Sequence, residues 1–267
     1  MRSAEWPIGV SWIWPEDGGL MTSAQLERFH EANVTYVETG VEWLWRAPEY
    51  KANPERLKSV IGAFQNAGIT VWSVHVPGGE TIDLSHPDYA DRGIDIITRQ
   101  MDVCARMGVD KVVVHPSFEP IEAMNRPDRL ACCAESIRKL HRPDVRIAIE
   151  NLPRTCLCNT APEMQTLLHS LHGTAWACVD VNHSHQGKIS DMLQGVADQL
   201  ITVHISDDDG VDEKHWYPGE GVLSWPDILN TLADIGYAGC LMYELGERFA
   251  DPMKVRRNYD GLVARMR

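Results

Sequence analysis

The chain has 267 residues, 38 acidic against 25 basic side chains, and a formal net charge of −13. That balance argues against a surface built to grip phosphodiester backbone, and no Lys/Arg cluster offsets it locally. No apolar run approaches the ~20 residues needed to cross a bilayer, and the N-terminal stretch lacks the long apolar segment of a secretory leader. Seven cysteines without framework spacing point to reduced thiols, so a soluble cytoplasmic protein is expected.

Short runs rich in Val and Ile alternate with segments of helical period. The first predicted strand, 8–14, ends on Trp12 and Trp14, and Thr22-Ser23-Ala24-Gln25 opens the first helix as a capping box. Strand two, 35–40, carries Glu38, with Trp43 and Trp45 just beyond it. Asn53-Pro54-Glu55 opens the next helix with Pro in its first turn. Strand three, 70–76, carries His75 and precedes a helix over 86–107; strand four, 111–115, ends on His115 and precedes one over 121–140. Strand five, 146–151, carries Glu150, and helix 161–171 follows. Strand six, 176–181, carries Asp180, with His183 just after it and helix 190–198 beyond. Strand seven, 200–206, carries His204 and leads to helix 225–235. Strand eight, 239–245, carries Glu244 and leads to helix 252–266. Gly68, Gly108 and Gly236 each close a helical run before a strand, as C-terminal caps do.

Eight strand–helix units is the count that closes a (β/α)₈ TIM barrel of about 250 residues. A doubly wound sheet usually has fewer strands, and no G-x-G-x-x-G follows the first strand. No linker or low-complexity tract divides the chain, so residues 1–267 read as one domain.

Parallel strands buried on both faces read as nearly continuous Val, Ile and Leu. Strands five to eight break that pattern at the same place, their C-terminal ends, with Glu150, Asp180, His204 and Glu244. One carboxylate there is commonly a salt-bridge partner or a helix cap, and a lone His a satisfied core residue. Four consecutive strands ending this way are different, because such barrels keep their active sites on that face. Three carboxylates at one mouth would repel and raise one another's pKa unless a cation compensated them. Three oxygens and one imidazole suit one divalent ion, Mn²⁺ first, with Co²⁺, Mg²⁺ or Zn²⁺ also fitting.

His75 and His115 read as substrate contacts, as groups behind the ligands or as further ligands, since one ion cannot use them all. The stretch HISDDDGVDEKHWYPGEG after strand seven leaves His215 near the mouth, while Asp207, Asp208 and Asp209 read as solvated loop. The four early Trp residues are either core or the wall of a pocket stacking on a sugar's apolar face. Cys156-Leu157-Cys158, two thiols without a second pair, read as loop cysteines.

On these residues the sequence resembles the xylose isomerase-like barrel superfamily of sugar isomerases, ketose 3-epimerases and endonuclease IV-type enzymes. The resemblance spans Ile8 to Glu244. It rests on the Glu/Asp/His/Glu set, on Asp180-Val181-Asn182-His183, and on His204 followed by Pro218-Gly219-Glu220-Gly221. It implies one divalent metal on Glu150, Asp180, His204 and Glu244, and a substrate contact from His183. Glu38, His75, His115, His215, Trp12 and Trp14 are expected around the substrate. By resemblance to the ketose epimerases, Glu150 and Glu244 face each other across the sugar and move a proton on and off carbon. A proton next to a carbonyl is hard to remove, so a metal polarises the oxygens while a carboxylate accepts it.

Two positions depart from the epimerase pattern: Cys156 stands in the region of a second glutamate, and His215 where Arg is frequent. The implied activity is isomerisation or epimerisation of a small ketose, polyol or keto-sugar. A dehydratase or lyase acting on a keto-inositol or 3-keto-glycoside shares the enolising first step. The alternative is an AP endonuclease of the endonuclease IV type. Its three-zinc ligand set is resembled by His75, His115, Glu150, Asp180, His183, His204, Glu213, His215 and Glu244, with Glu213 where Asp is usual. The acidic balance counts against DNA as partner. A small-molecule sugar, no membrane, and a chain compatible with homo-oligomers complete the expectation.

Overall fold

The computed structural model describes residues 5–12, 21–41, 54–183, 187–246 and 250–266. Eight parallel strands close into a barrel in chain order: β1 (Ile8–Trp12), β2 (Tyr36–Thr39), β3 (Thr70–His75), β4 (Lys111–Val114), β5 (Arg146–Glu150), β6 (Trp176–Asp180), β7 (Leu200–Ile205) and β8 (Leu241–Tyr243). β1 pairs with β8 through Ile8–Leu241 and Val10–Tyr243, which completes the ring. The helices are α1 (Ser23–Glu31), α2 (Pro54–Asn66), α3 (Ala90–Met107), α4 (Arg126–Leu140), α5 (Ala161–Ser170), α6 (Ile189–Gly195), α7 (Trp225–Asp234) and α8 (Pro252–Ala264).

Local chemistry sets several of these boundaries. Thr22 accepts the Gln25 backbone N–H while the Gln25 side chain returns to the Thr22 N–H, so α1 begins on the expected capping box. Gly108 ends α3 in the left-handed conformation (φ 70°), which a Cβ would disfavour. α4 starts five residues later than its apolar pattern suggests. A short 3₁₀ turn over Ala123–Asn125 occupies the start of the expected span, and α-helix begins at Arg126 with Pro127 in its first turn, where a missing N–H leaves no bond unmade.

The main core lies between the strands and the helix ring, with Phe29, Val37, Met101, Ile137, Leu167 and Leu232 almost wholly buried. Inside the barrel, Val113, Ala148 and Cys178 form a separate apolar plug. That plug divides the mouth, where the strands end, from the floor, where they begin. All seven cysteines are free thiols. No helix among the described residues is long and apolar enough to cross a membrane.

Candidate metal centre

The strand ends bring the four expected side chains together. Ligand-capable atoms of Glu150, Asp180, His204 and Glu244 all lie within 4.8 Å of one another. Glu150 and Asp180 end β5 and β6, His204 is the penultimate residue of β7, and Glu244 follows β8 directly. The β6–β7 register sets Asp180 beside His204, so neighbouring strands deliver these two side chains at the same height.

His204 is fully buried. Its Nδ1 faces Glu150 Oε1 at 3.3 Å and Glu244 Oε2 at 2.9 Å, while Nε2 lies 3.0 Å from Glu38 Oε1. Burial opposes its charge, yet these carboxylates hold its pKa well above the usual histidine range. Glu38 therefore sits one layer below the mouth, fully buried, its other oxygen accepting the Ser73 hydroxyl at 2.6 Å. This corrects the sequence expectation of a substrate contact. Glu38 backs the His204 imidazole instead, the position from which carboxylates commonly orient metal-binding histidines.

Glu150 lies within ion-pair distance of four histidines, His75, His115, His183 and His204. His75 Nε2 and His115 Nε2 approach its Oε2 at 3.0 and 3.1 Å. Burial alone would raise the Glu150 pKa, but His204, His115 and His75 hold it well below the ordinary value. The exchange is mutual: burial works against charge on His75, and the Glu150 contact nevertheless lifts it to about 10.

Asp180 shows the opposite behaviour. Burial, with the charges of Glu244 and Glu150, raises it to about 6, although His183 acts against the rise. Its Oδ2 accepts no hydrogen bond, and His183 Nε2 is 3.4 Å away. Glu244 Oε2 is likewise without a hydrogen bond, its 2.9 Å approach to His204 Nδ1 being out of alignment for one. Buried carboxylate oxygens without donors are costly. Their convergence with the Nδ1 of a histidine fits a divalent cation and leaves three carboxylate ligands and one imidazole.

A second group lies alongside, with atoms of His183, Glu213 and His215 also within 4.8 Å of each other. His183 Nδ1 meets the Asn151 carbonyl at 3.0 Å and Nε2 meets Glu213 Oε2 at 2.8 Å. Burial disfavours the His183 cation, but Asp180 and Glu213 raise its pKa to about 10. His215 is held with φ 51°, its Nδ1 3.1 Å from the Glu244 carbonyl. A cavity of about 290 Å³ opens on this centre, lined by His75, His115, His183, His215, Glu150 and Glu244. Trp12 ends β1, while Trp14, Trp43 and Trp45 lie outside the described residues.

Sequence reasoning gave no role to Arg154, which lines the same cavity. Its guanidinium bonds Glu119 at 2.6 Å and both Asp212 and Glu213 at 2.9 Å. It thereby ties the loops after β4, β5 and β7 into one wall. The His183 contact, opposed by burial and aided by Arg154, holds Glu213 at about 2. A cation four residues after Glu150 was the available signal.

Asp207 and Asp208 correct another expectation. They are buried, not solvated. Asp207 accepts the backbone N–H groups of Gly219 and Leu223 and the Trp225 indole N–H, at 2.7, 3.1 and 2.7 Å. It thus folds the 207–221 loop back against β7 and carries Glu213 and His215 to the mouth. Gly221 is required there, because a Cβ would collide with the Asp208 carbonyl and the Asp207 carboxylate.

The sequence model of the family described as xylose isomerase-like TIM barrel matches residues 26–260. An uncharacterized protein of Methanocaldococcus jannaschii is 23% identical over 163 residues, covering 57% of this chain and 56% of that protein's length. Among solved structures, a D-tagatose 3-epimerase-like protein superposes with a TM-score of 0.77 at 20% identity, covering 97% of this chain and 98% of the other. The 3-keto-D-glucoside 4-epimerase YcjR of E. coli gives 0.74 at 19% identity, with 97% and 100% coverage. The D-psicose 3-epimerase of Clostridium cellulolyticum gives 0.72 at 18%, with 97% and 98% coverage. At these identities the shared feature is the fold.

Proposed function

Because the chain belongs to the xylose isomerase-like TIM barrel family, we propose that it is a divalent-metal-dependent isomerase or epimerase of a small ketose, polyol or keto-sugar. The observation that carries this reading is the convergence of Glu150, Asp180, His204 and Glu244 around buried oxygens that lack donors. A bound Mn²⁺, or Co²⁺, Mg²⁺ or Zn²⁺ in its place, would supply polarisation of a substrate carbonyl.

The chain's own groups do the rest. Glu150 and Glu244 reach the centre from strands separated by β6 and β7, so they flank whatever occupies it. One carboxylate oxygen takes the proton from the carbon next to the carbonyl, and the other carboxyl returns a proton to the same or the neighbouring carbon. His75 and His115 hold Glu150 in its basic form through the contacts at Oε2. His215, its Nδ1 turned to the Glu244 carbonyl, would offer Nε2 to a substrate hydroxyl from the cavity wall, and His183 would reach substrate by exchanging its Glu213 contact. A dehydratase or lyase on a keto-inositol or 3-keto-glycoside would use the same first proton transfer.

One observation favours a second reading, phosphodiester hydrolysis of the endonuclease IV type. The His183–Glu213–His215 group and the His75–Glu150–His204 group could each hold a further cation. Against it stand the net charge of −13 and an Arg154 already engaged by three carboxylates.

The test is deuterium uptake from D₂O into a panel of ketoses and keto-sugars, run beside cleavage of abasic DNA. Metal-dependent uptake that Glu150→Gln abolishes is the expected result. Cleavage of abasic DNA without any uptake would replace the first reading by the second.

A further inference from the structure

The floor of the barrel carries charge of the opposite sign. Lys111 and Arg146 are the first residues of β4 and β5 and are paired in register. Lys111 is 7% exposed, its Nζ 2.6 Å from Asp110 Oδ1 and 4.1 Å from the centroid of the Trp72 ring. Arg146 bonds the other oxygen of the same carboxylate. Two cations therefore share one anion, and Asp110 is half exposed on the solvent side. Burying an ammonium is costly unless it is fully compensated. One formal positive charge remains uncompensated by this trio.

That charge faces a cavity of about 310 Å³, walled by Lys111, Arg146 and Trp72 together with Ile201, Ile235 and Tyr237. Trp72 is fixed in place by its indole N–H, which donates to Thr202 at 3.1 Å, and by an edge contact to Tyr36 at 5.2 Å. The Val113–Ala148–Cys178 plug separates this cavity from the metal centre. We propose that it is a second binding site, for a small carboxylate or phosphate anion. The anionic group would bridge Lys111 and Arg146, and a short apolar body would lie against Trp72 and the two isoleucines. The size suits such a ligand, at the lower end of ordinary small-molecule sites. This site is independent of the chemistry proposed at the mouth.

The experiment is calorimetric titration of the purified protein with inorganic phosphate and with acetate, chloride holding the ionic strength constant. Saturable one-site binding is expected for at least one of the two anions, and the pair shows whether phosphate or carboxylate is preferred. Lys111→Met and Arg146→Gln should each weaken it on the order of tenfold, the effect of losing one charged contact. Glu150→Gln, at the opposite end, should leave it intact. If Lys111→Met does not fold, the more exposed Arg146→Gln carries the comparison. Absence of saturation with both anions would overturn the proposal, as would unchanged affinity in the floor variants. Loss of binding in Glu150→Gln with the floor variants unaffected would reassign the anion to the mouth and overturn it equally.

Discussion

Two buried aspartates at neighbouring strand ends make opposite use of burial. Asp207, just after β7, has both carboxylate oxygens filled: Oδ2 by Gly219 and Trp225, Oδ1 by Asp208 and Leu223. Asp180, ending β6, is as completely buried, yet Oδ1 accepts only the Asn182 N–H and Oδ2 accepts nothing. Both are acids in a dry place, and burial alone does not separate them. The count of unused lone pairs does. Asp207 builds a loop, and Asp180 keeps an oxygen without a donor beside Glu150, His204 and Glu244.

The largest effect that would sharpen this contrast is catalytic. At saturating Mn²⁺, Glu150→Gln and Glu244→Gln should lower deuterium uptake by ~10²–10⁴-fold, the usual worth of a general base. His204→Asn removes a ligand without a proton-transfer role, so excess metal should restore it more fully. Recovery of both Gln variants, with His204→Asn remaining inactive, would make the glutamates ligands only.

Stability separates the two aspartates directly. Asp207→Ala orphans several buried donors, each costing ~1–3 kcal/mol. A loss of roughly 2–3 kcal/mol lowers Tm by about 4–12 °C in a chain of this size. Asp180→Asn removes a negative charge that Glu150 and Glu244 repel, so the Tm of the chelated protein should hold or rise. If chelated Asp180→Asn melts as early as Asp207→Ala, the contrast is broken and Asp180 is a structural residue. A smaller effect belongs to Glu38→Gln, which loosens His204 from behind and should weaken metal binding about 10–100-fold without touching the ion. Metal titration of the variant checks this.

The fold and the convergence of Glu150, Asp180, His204 and Glu244 were legible because both follow from strand period. A polar residue at the end of a Val/Ile run is placed by the alternation itself, as in RIAIE ending on Glu150 and WACVD ending on Asp180. Glu38 obeys the same rule, yet its task depends on His204, 166 residues away, which no local pattern reports. The loops were less legible. Three consecutive aspartates look solvated until the 207–221 segment turns back and offers its backbone N–H groups to Asp207. Arg154, with φ 52°, draws its partners from loops after two other strands, so its place is set by tertiary contacts alone. The floor cations show the same limit: Lys111 reads as a strand's first residue, and only the barrel sets it over Trp72.

The proposed chemistry requires a cation held by Glu150, Asp180, His204 and Glu244. The most direct measurement is Mn²⁺ binding by calorimetry to the chelated protein, repeated on Asp180→Asn and on Asp207→Asn. Saturable binding of at least one equivalent per chain is predicted, lost or greatly weakened in Asp180→Asn and retained in folded Asp207→Asn. No saturable binding to the wild-type protein, or equal affinity in Asp180→Asn, would contradict it.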